Sequence, residues 1–311
     1  MQSFRSEIEN PVVEKDILDL AKKIAQFKAG EIHEEKFRSL RLARGVYGQR
    51  QQGVQMIRIK LPYGKIQFHQ WKRISDISDE YSTGNLHLTT RQDIQIHYVS
   101  LDRTPELWAK LEQDDITLRE ACGNTVRNIT ASPTSGIDPK ELFDVSPHAD
   151  AAFRYFLRNP ICQEMGRKIK MSFSNTDEDT SLAYLHDVGF IPKIVDGKRG
   201  FKVVVGGGLG AQPMLAHVAH EFLAENEVIP FIEAILRVFD RHGERNSRHK
   251  ARMKFLIQKI GFEAFMDLVK AESKALKNHS FEIPSATAWE VTPPTLVAST
   301  ESPNSEAYAT W

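Results

Sequence analysis

The chain is poor in cysteine, lacks any long apolar run and carries no net charge, and each absence closes off a class of function. Its two cysteines, Cys122 and Cys162, stand 40 residues apart in a chain of 311. That count excludes a disulfide framework, and the spacing matches no metal-ligand pattern, so no metal site is expected from these residues. No stretch of about 18 apolar residues occurs, and the opening MQSFRSEIENPVVEKD has neither an apolar core nor a small-residue cleavage site. A cytoplasmic protein with no membrane partner is the expectation. The 41 basic and 41 acidic side chains cancel, so nothing in the overall charge points to nucleic acid, and any basic site must be local.

What is present is an ordinary globular composition, 41% apolar and 26% charged, in a chain long enough for two cores. Apolar residues at helical spacing from Val12 to Phe27, closed by Gly30, predict a helix, and a shorter one follows over 34–43. The run GVQMIRIKLPYG sets Val54, Met56, Arg58 and Lys60 against Gln55, Ile57, Ile59 and Leu61, a strand with its charges on one face that ends at Pro62 and Gly64. Residues 67–81 predict a helix, 86–99 strand, turn and strand, and 104–113 another helix, which is the order of a ferredoxin-like unit. Beyond Asp115, VRNITAS, KIKMSFS, AYLHDVGFIPKI and GFKVVV predict strands, 147–158 a helix, and Met214 to Lys277 mostly helix. The expected class is α+β. The expected division is a helical segment 1–45, a half-domain 46–118, a second domain 119–277 and a linker or arm 278–311.

Several segments carry polar groups on one face, which a solvated surface or a bound anion would each explain. TGNLHLTTRQDIQIHYV places Arg91, Gln95 and His97 on one face of a strand and Ile94, Ile96 and Tyr98 on the other, beside the strand that carries Arg58 and Lys60. Arginine forks hold carboxylates and oxyanions in a bidentate way, so two such faces side by side suit a polycarboxylate or a small oxyanion. The wetted side of an antiparallel sheet gives the same alternation. Arg127 stands among few charges in ACGNTVRNITASP, where a buried guanidinium must find an anion or carbonyls. GRKIK puts Lys168 and Lys170 on one strand face, where two ammonium groups repel unless an anion lies between them. VVVGGGLGA satisfies G-x-G-x-x-A through Gly206, Gly208 and Ala211, yet no acidic residue ends a second strand where a dinucleotide fold requires one. Glycine there lets backbone approach a flat ligand or another strand. Arg245, Arg248 and Arg252 in GERNSRHKARMK fall at i, i+3 and i+7, a helical stripe.

In their order along the chain, RSLRLARGVYGQRQQGVQMIRIKLPYG, LHLTTRQDIQIHYV, CGNTVRNIT, GRKIKMSFS, GFKVVVGGGLG and GERNSRHKARMKFL resemble the siroheme-containing sulfite and nitrite reductases over residues 36–275. The resemblance implies a six-electron reductase turning sulfite to sulfide, or nitrite to ammonia, at a siroheme iron bridged through a cysteine sulfur to a 4Fe-4S cluster. It implies a ferredoxin-like half-domain followed by an α/β siroheme-binding domain, one half of a pseudo-two-fold enzyme. Arg58, Arg127, Lys168 and Lys170 match the four cations that surround the oxyanion. Lys60, Arg91, Gln95, His97, Arg167, Gly207, Gly208, Arg245 and Arg248 match positions contacting the cofactor. An electron donor such as ferredoxin or a flavoprotein is implied as partner.

Two features depart from that pattern. The family's cluster needs two pairs of cysteines, and this chain has neither, so the cluster ligands, and with them a missing C-terminal half, are expected outside these residues. His87 stands where an arginine is frequent. Alone, the chain is expected to be inactive in the six-electron reaction. The rival readings are a non-catalytic tetrapyrrole or anion-binding module and a nicotinamide-dependent dehydrogenase built on the Gly206 turn.

Overall fold

A computed structural model of the protein describes residues 10–210 and 212–284. The chain opens on α1 (Pro11–Lys28), where the Asn10 side chain accepts from the Val12 N–H and Pro11 occupies the first turn, where no backbone donor is needed. Its Ile17, Leu20 and Ile24 are buried with Phe37 of α2 (Glu34–Leu42) in the same core as Ile57, Ile96 and Trp108. The helices of the expected N-terminal segment, 1–45, share the core of the first sheet, since neither helix buries its stripe without it.

That sheet runs β1 (Val46–Gly48), β2 (Val54–Ile59), β4 (Ile94–Ser100), β3 (Leu86–Leu88), all antiparallel. Helices α3 (Phe68–Tyr81) and α4 (Thr104–Glu112) complete the strand, helix, strand, strand, helix order, while β1 takes the edge beside β2. The alternation read from β4 breaks near its end. Tyr98 adopts φ 62 and is exposed, and the register against β2 shifts between Gln55 and Ile57. Such a bulge re-aims one side chain, so Tyr98 does not share the buried face of Ile94 and Ile96.

The first core ends at Leu118, and the second begins at Val126. A five-stranded sheet follows, in sequential order from β5 (Val126–Ala131) through β6 (Ile169–Phe173), β7 (Val188–Val195) and β8 (Lys198–Val205) to β9 (His217–Ala224). The β5, β6 and β7 pairings are parallel, with α5 (Ser146–Phe156) between the first two strands, and the remainder are antiparallel. Asp196 (φ 50) and Gly197 (φ 74) make the two-residue turn of the β7–β8 hairpin, which needs positive φ at both positions. Helices α6 (Val228–His242), α7 (Met253–Ile260) and α8 (Phe262–Ser273) cover this core, whose centre stacks Phe173 on Phe190 at 4.5 Å with Phe201 edge-on.

Two expectations are corrected here. The stretch from 214 is not helical at its start: β9 precedes α6, because the free edge of β8 recruits a sequence, HVAHEFLA, whose residues favour a helix in isolation. The stripe of Arg245, Arg248 and Arg252 does not exist, since only a single 3-10 turn (Arg248–Lys250) precedes α7. Residues 278–284, at the start of the expected linker or arm, lie against the second domain. Phe281 donates its backbone N–H to Asn226 O at 2.8 Å and packs edge-on against Tyr155. The rest of the expected arm, 285–311, and Ala211 of the glycine motif lie outside the described residues.

Candidate functional site

The motif LTTRQ joins the two domains. Gln92, at φ 56, acts as a strand fragment toward β5: its amide donates to Ala131 O at 2.7 Å and accepts from Ala131 N at 3.1 Å. Arg91 leaves the turn and enters the second sheet, where it donates to Thr130 Oγ1 (3.0 Å), Met171 O (3.2 Å), Asn128 O and His186 Nε2. Asn128 reciprocates by donating to Leu61 O and Arg91 O. Burial pushes Arg91 down to about 10. Arg91 is thus a strut between domains and does not share a wall with Gln95 and His97.

Gln95 and His97 do face a group of cations. Arg58, Gln95 and His87 lie in one cross-strand row over β2, β4 and β3. With its amide oxygen turned toward Arg58, Gln95 accepts from Nε at 3.1 Å and Nη2 at 2.5 Å. His87 and His97 stack and approach at 3.4 Å between ring nitrogens, and burial, then His87 and Arg58, lower the His97 pKa.

Above this row stands Arg127, held by Gly123 O (2.9 Å, from Nε) and Ala121 O (3.1 Å, from Nη1). Its field reaches Arg58, Cys122, Asp93 and Arg167. Lys168, Arg167 and Arg127 are mutually close, and Lys170 lies beside Arg91, Arg252 and Arg127. Burial first, and then these like charges, push Lys168 down to about 7 and Lys170 to about 8. Among the described residues no carboxylate pairs with Arg58, Arg127, Arg167, Lys168 or Lys170, and the Arg167 Nε is buried without an acceptor. Five cations converge, none of them in an ion pair among those residues.

The carboxylates nearby are spent or withheld. Asp187, fully buried at the start of β7, accepts from Arg252 Nη2 (2.7 Å) and Nε (3.2 Å) and from the Lys170 backbone N–H (2.8 Å). Asp93 is 4% exposed, its Oδ1 has no donor, and burial pushes it up to about 6 although Arg58, Arg91, Lys60 and Arg127 surround it.

Other expected contacts are placed elsewhere. Lys60 is 2% exposed, paired with Glu120 at 3.5 Å and bonded to Val126 O at 3.2 Å, so its ammonium sits between the two cores. Arg245 is bound to Asp240 Oδ1 (2.5 Å) and Glu164 O (3.3 Å). Arg248 is exposed, within the field of Arg167. A Cβ on Gly207 would stand 2.2 Å from Tyr184 O and 2.7 Å from His186 O, so that glycine admits neighbouring backbone. Gly208 has room for one beside Arg252 and Lys254, and Lys254 Nζ ties the loop down through Gly208 O and Leu209 O at 3.2 Å each. A cleft of about 1130 Å³ opens elsewhere between the domains, lined by Leu61, Trp71, Asp93, Phe143 and His148, and contains none of the five cations. Sequence reasoning missed Asp187, Asp93 and His186, which stand singly in their segments and acquire partners only through the fold.

Residues 122–277 match the family described as the nitrite and sulphite reductase 4Fe-4S domain, and residues 47–114 match its ferredoxin-like half domain. The chain belongs to the nitrite and sulphite reductase family. Curated relatives include the assimilatory ferredoxin-dependent nitrite reductase of Haloferax mediterranei, 32% identical over 246 residues, 73% of this chain and 42% of that protein. Sulfite reductase [ferredoxin] 1 of Mycolicibacterium paratuberculosis is 30% identical over 73% of this chain and 44% of its own. The chain thus spans less than half the length of these relatives. The structure of the Mycobacterium tuberculosis NirA protein superposes at TM-score 0.76 and 26% identity over 86% of this chain and 53% of that one. Dissimilatory sulfite reductase I shares the fold at TM-score 0.62 and 12% identity, covering 99% of this chain and 94% of that one.

Membership in the nitrite and sulphite reductase family brings siroheme and a 4Fe-4S cluster as its cofactors. The cation group fits the first, because a polycarboxylate supplies the missing acceptors for Arg167 and its neighbours. The cysteines do not fit the second. Cys122 and Cys162 are buried, burial raises both thiols, and no group of three or more His, Cys, Asp or Glu suited to a metal occurs among the described residues. Among those residues, too, no helix is long and apolar enough to cross a membrane.

Proposed function

We propose that the chain forms the oxyanion- and siroheme-facing part of a reductase that takes sulfite to sulfide or nitrite to ammonia, with the cluster's thiolates contributed from outside these 311 residues. One observation carries the reading: Arg58, Arg127, Arg167, Lys168 and Lys170 converge with no carboxylate to pair them, an arrangement costly to fold unless anions complete it. Arg58, Arg127, Lys168 and Lys170 bind the oxyanion. Arg167, Gln95, His97, Gly208 and Arg248 face the carboxylates of siroheme, which supplies the multi-electron chemistry when bound.

The chain's own contribution is position and field. Arg127 and Arg58 stabilise the negative charge that develops on oxygen as bonds to sulfur or nitrogen break. Lys168, poised near neutrality, gives a proton to a departing oxygen and regains one from water. A ferredoxin-class donor, as in the names of the relatives, would supply the electrons.

Siroheme reconstitution tests the proposal. A Soret band should co-elute with the chain on gel filtration and shift on addition of sulfite or nitrite. The Lys168→Met/Lys170→Met variant should keep the band and lose the shift. Failure of the wild-type chain to retain siroheme contradicts the assignment.

A further inference from the structure

The two lysines of this group combine partial exposure with a setting of other cations. Lys168 and Lys170 lie two residues apart at the entry of β6, and both are only partly exposed. Neither ammonium has a hydrogen-bond or ion-pair partner among the described residues. Lys168 faces Arg127 of β5, Lys170 and Arg167 of its own segment, and Arg252 at the head of α7. Lys170 faces Arg91, Arg252, Asp187 and Arg127. The one carboxylate in that company, Asp187, is already occupied by Arg252.

An amine desolvated among cations sheds its proton and becomes a nucleophile at neutral pH, while the guanidinium groups around it attract anions. Surface lysines such as Lys72 and Lys140 pair with Asp76 and Glu178 and have no such push.

We propose that Lys168 is a covalent capture site for anionic aldehydes, small molecules that bear both a carbonyl and a phosphate or carboxylate. The anion seats on Arg127 and Arg167, and the Lys168 Nζ lone pair attacks the carbonyl carbon. The C–N bond forms, the two N–H protons of the amine pass to the carbonyl oxygen, the C–O bond breaks to release water, and an imine remains. No electrons are exchanged in this step. The chemistry does not depend on the reductase reading, because it needs only the chain without cofactor. The lowered proton affinity of Lys168, about 7, is consistent with it.

The test uses the full chain at pH 7 with pyridoxal 5′-phosphate as probe, cyanoborohydride to reduce the imine to a stable amine, and peptide mapping by mass spectrometry. Lys168 should label at least about tenfold faster than Lys72 or Lys140, as a neutral fraction raised by a drop of several pH units allows. Pyridoxal without the phosphate should lose that preference. Labelling of Lys168 no faster than the surface lysines, or equally fast with and without the phosphate, overturns the proposal. A parallel arm adds nitrite, which should protect Lys168. If labelling is selective but nitrite gives no protection, the capture site stands and the oxyanion reading fails.

Discussion

The Arg91 guanidinium hydrogen-bonds the Nε2 of His186, 95 residues further along the chain. His186 is set up for that bond by its other nitrogen, for Nδ1 donates to Leu182 O at 2.7 Å, leaving Nε2 as an acceptor in the neutral ring. Burial, and then the charge of Arg91, push His186 down to about 3. One neutral histidine thus fixes the strut that holds the Arg58 sheet against the Lys170 sheet.

The pH dependence of stability follows from that geometry. Below about pH 6.5 the unfolded chain binds a proton that the native His186 refuses, so stability falls as pH drops from 6.5 toward 3, by at most about 1.4 kcal/mol per pH unit. Partial exposure of the ring brings the slope below that maximum. His186→Gln, which keeps an acceptor but cannot titrate, should flatten this part of the profile in urea denaturation at pH 7 and pH 5.

Asp93 acts in the opposite sense. Its native pKa, about 6, lies above the unfolded value, so stability declines as pH rises from about 4 to 6 and stays reduced above that. Asp93→Asn removes the buried charge at little cost in shape. The variant should be about 1–3 kcal/mol more stable than the wild type at pH 8 and equal to it near pH 4, as read by denaturation midpoints.

Lys60 and Glu120 form a pair buried between the cores, in which Glu120 also accepts from the Arg158 backbone N–H (2.9 Å) and Gln163 Nε2 (2.6 Å). Lys60→Met leaves that carboxylate with only the more distant Arg119 Nε, at 3.9 Å, as a cation, at a cost toward the lower end of about 3–5 kcal/mol. Because Lys60 is already engaged by Glu120 and is not one of the five unpaired cations, anion-induced stabilisation of whatever fraction folds should persist. Thermal unfolding with and without phosphate measures both effects.

Removing the charges of Lys168 and Lys170 should do the reverse. Their lowered pKa values mean that the folded state resists holding both protons, so stability rises with pH from about 7 toward 10.5. Lys168→Met/Lys170→Met should stabilise the free chain at pH 7 by about 1 kcal/mol, a figure reduced for solvent screening. The same variant should abolish any further stabilisation by phosphate or nitrite. Loss of stability in the free variant would show that the ammonium groups have partners of their own.

The legible part of this molecule was whatever rests on local pattern. Helices such as α1 announce themselves through an apolar stripe closed by Gly30, and β2 through the alternation of GVQMIRIKLPYG. The cations Arg58, Arg127, Lys168 and Lys170 were legible as types and spacings. Their mutual approach is a property of two sheets meeting at the LTTRQ turn. β9 was hidden because pairing with β8 decides its state, and its own residues do not. Lys60 and Arg91 read as members of a polar strand face, yet each was claimed by a partner from the other domain, Glu120 and His186. Alternation along a strand reports which face a side chain leaves from, and says nothing of how far a long side chain reaches.

The central claim is that an oxyanion sits among Arg58, Arg127, Lys168 and Lys170. Crystals of the chain soaked in selenite, an anomalously scattering relative of sulfite, test it most directly. The account predicts an anomalous peak within hydrogen-bond reach of Arg127 and Lys168, absent from the Lys168→Met/Lys170→Met variant. Selenite found only at other surface cations, with these four side chains turned to solvent, would contradict it.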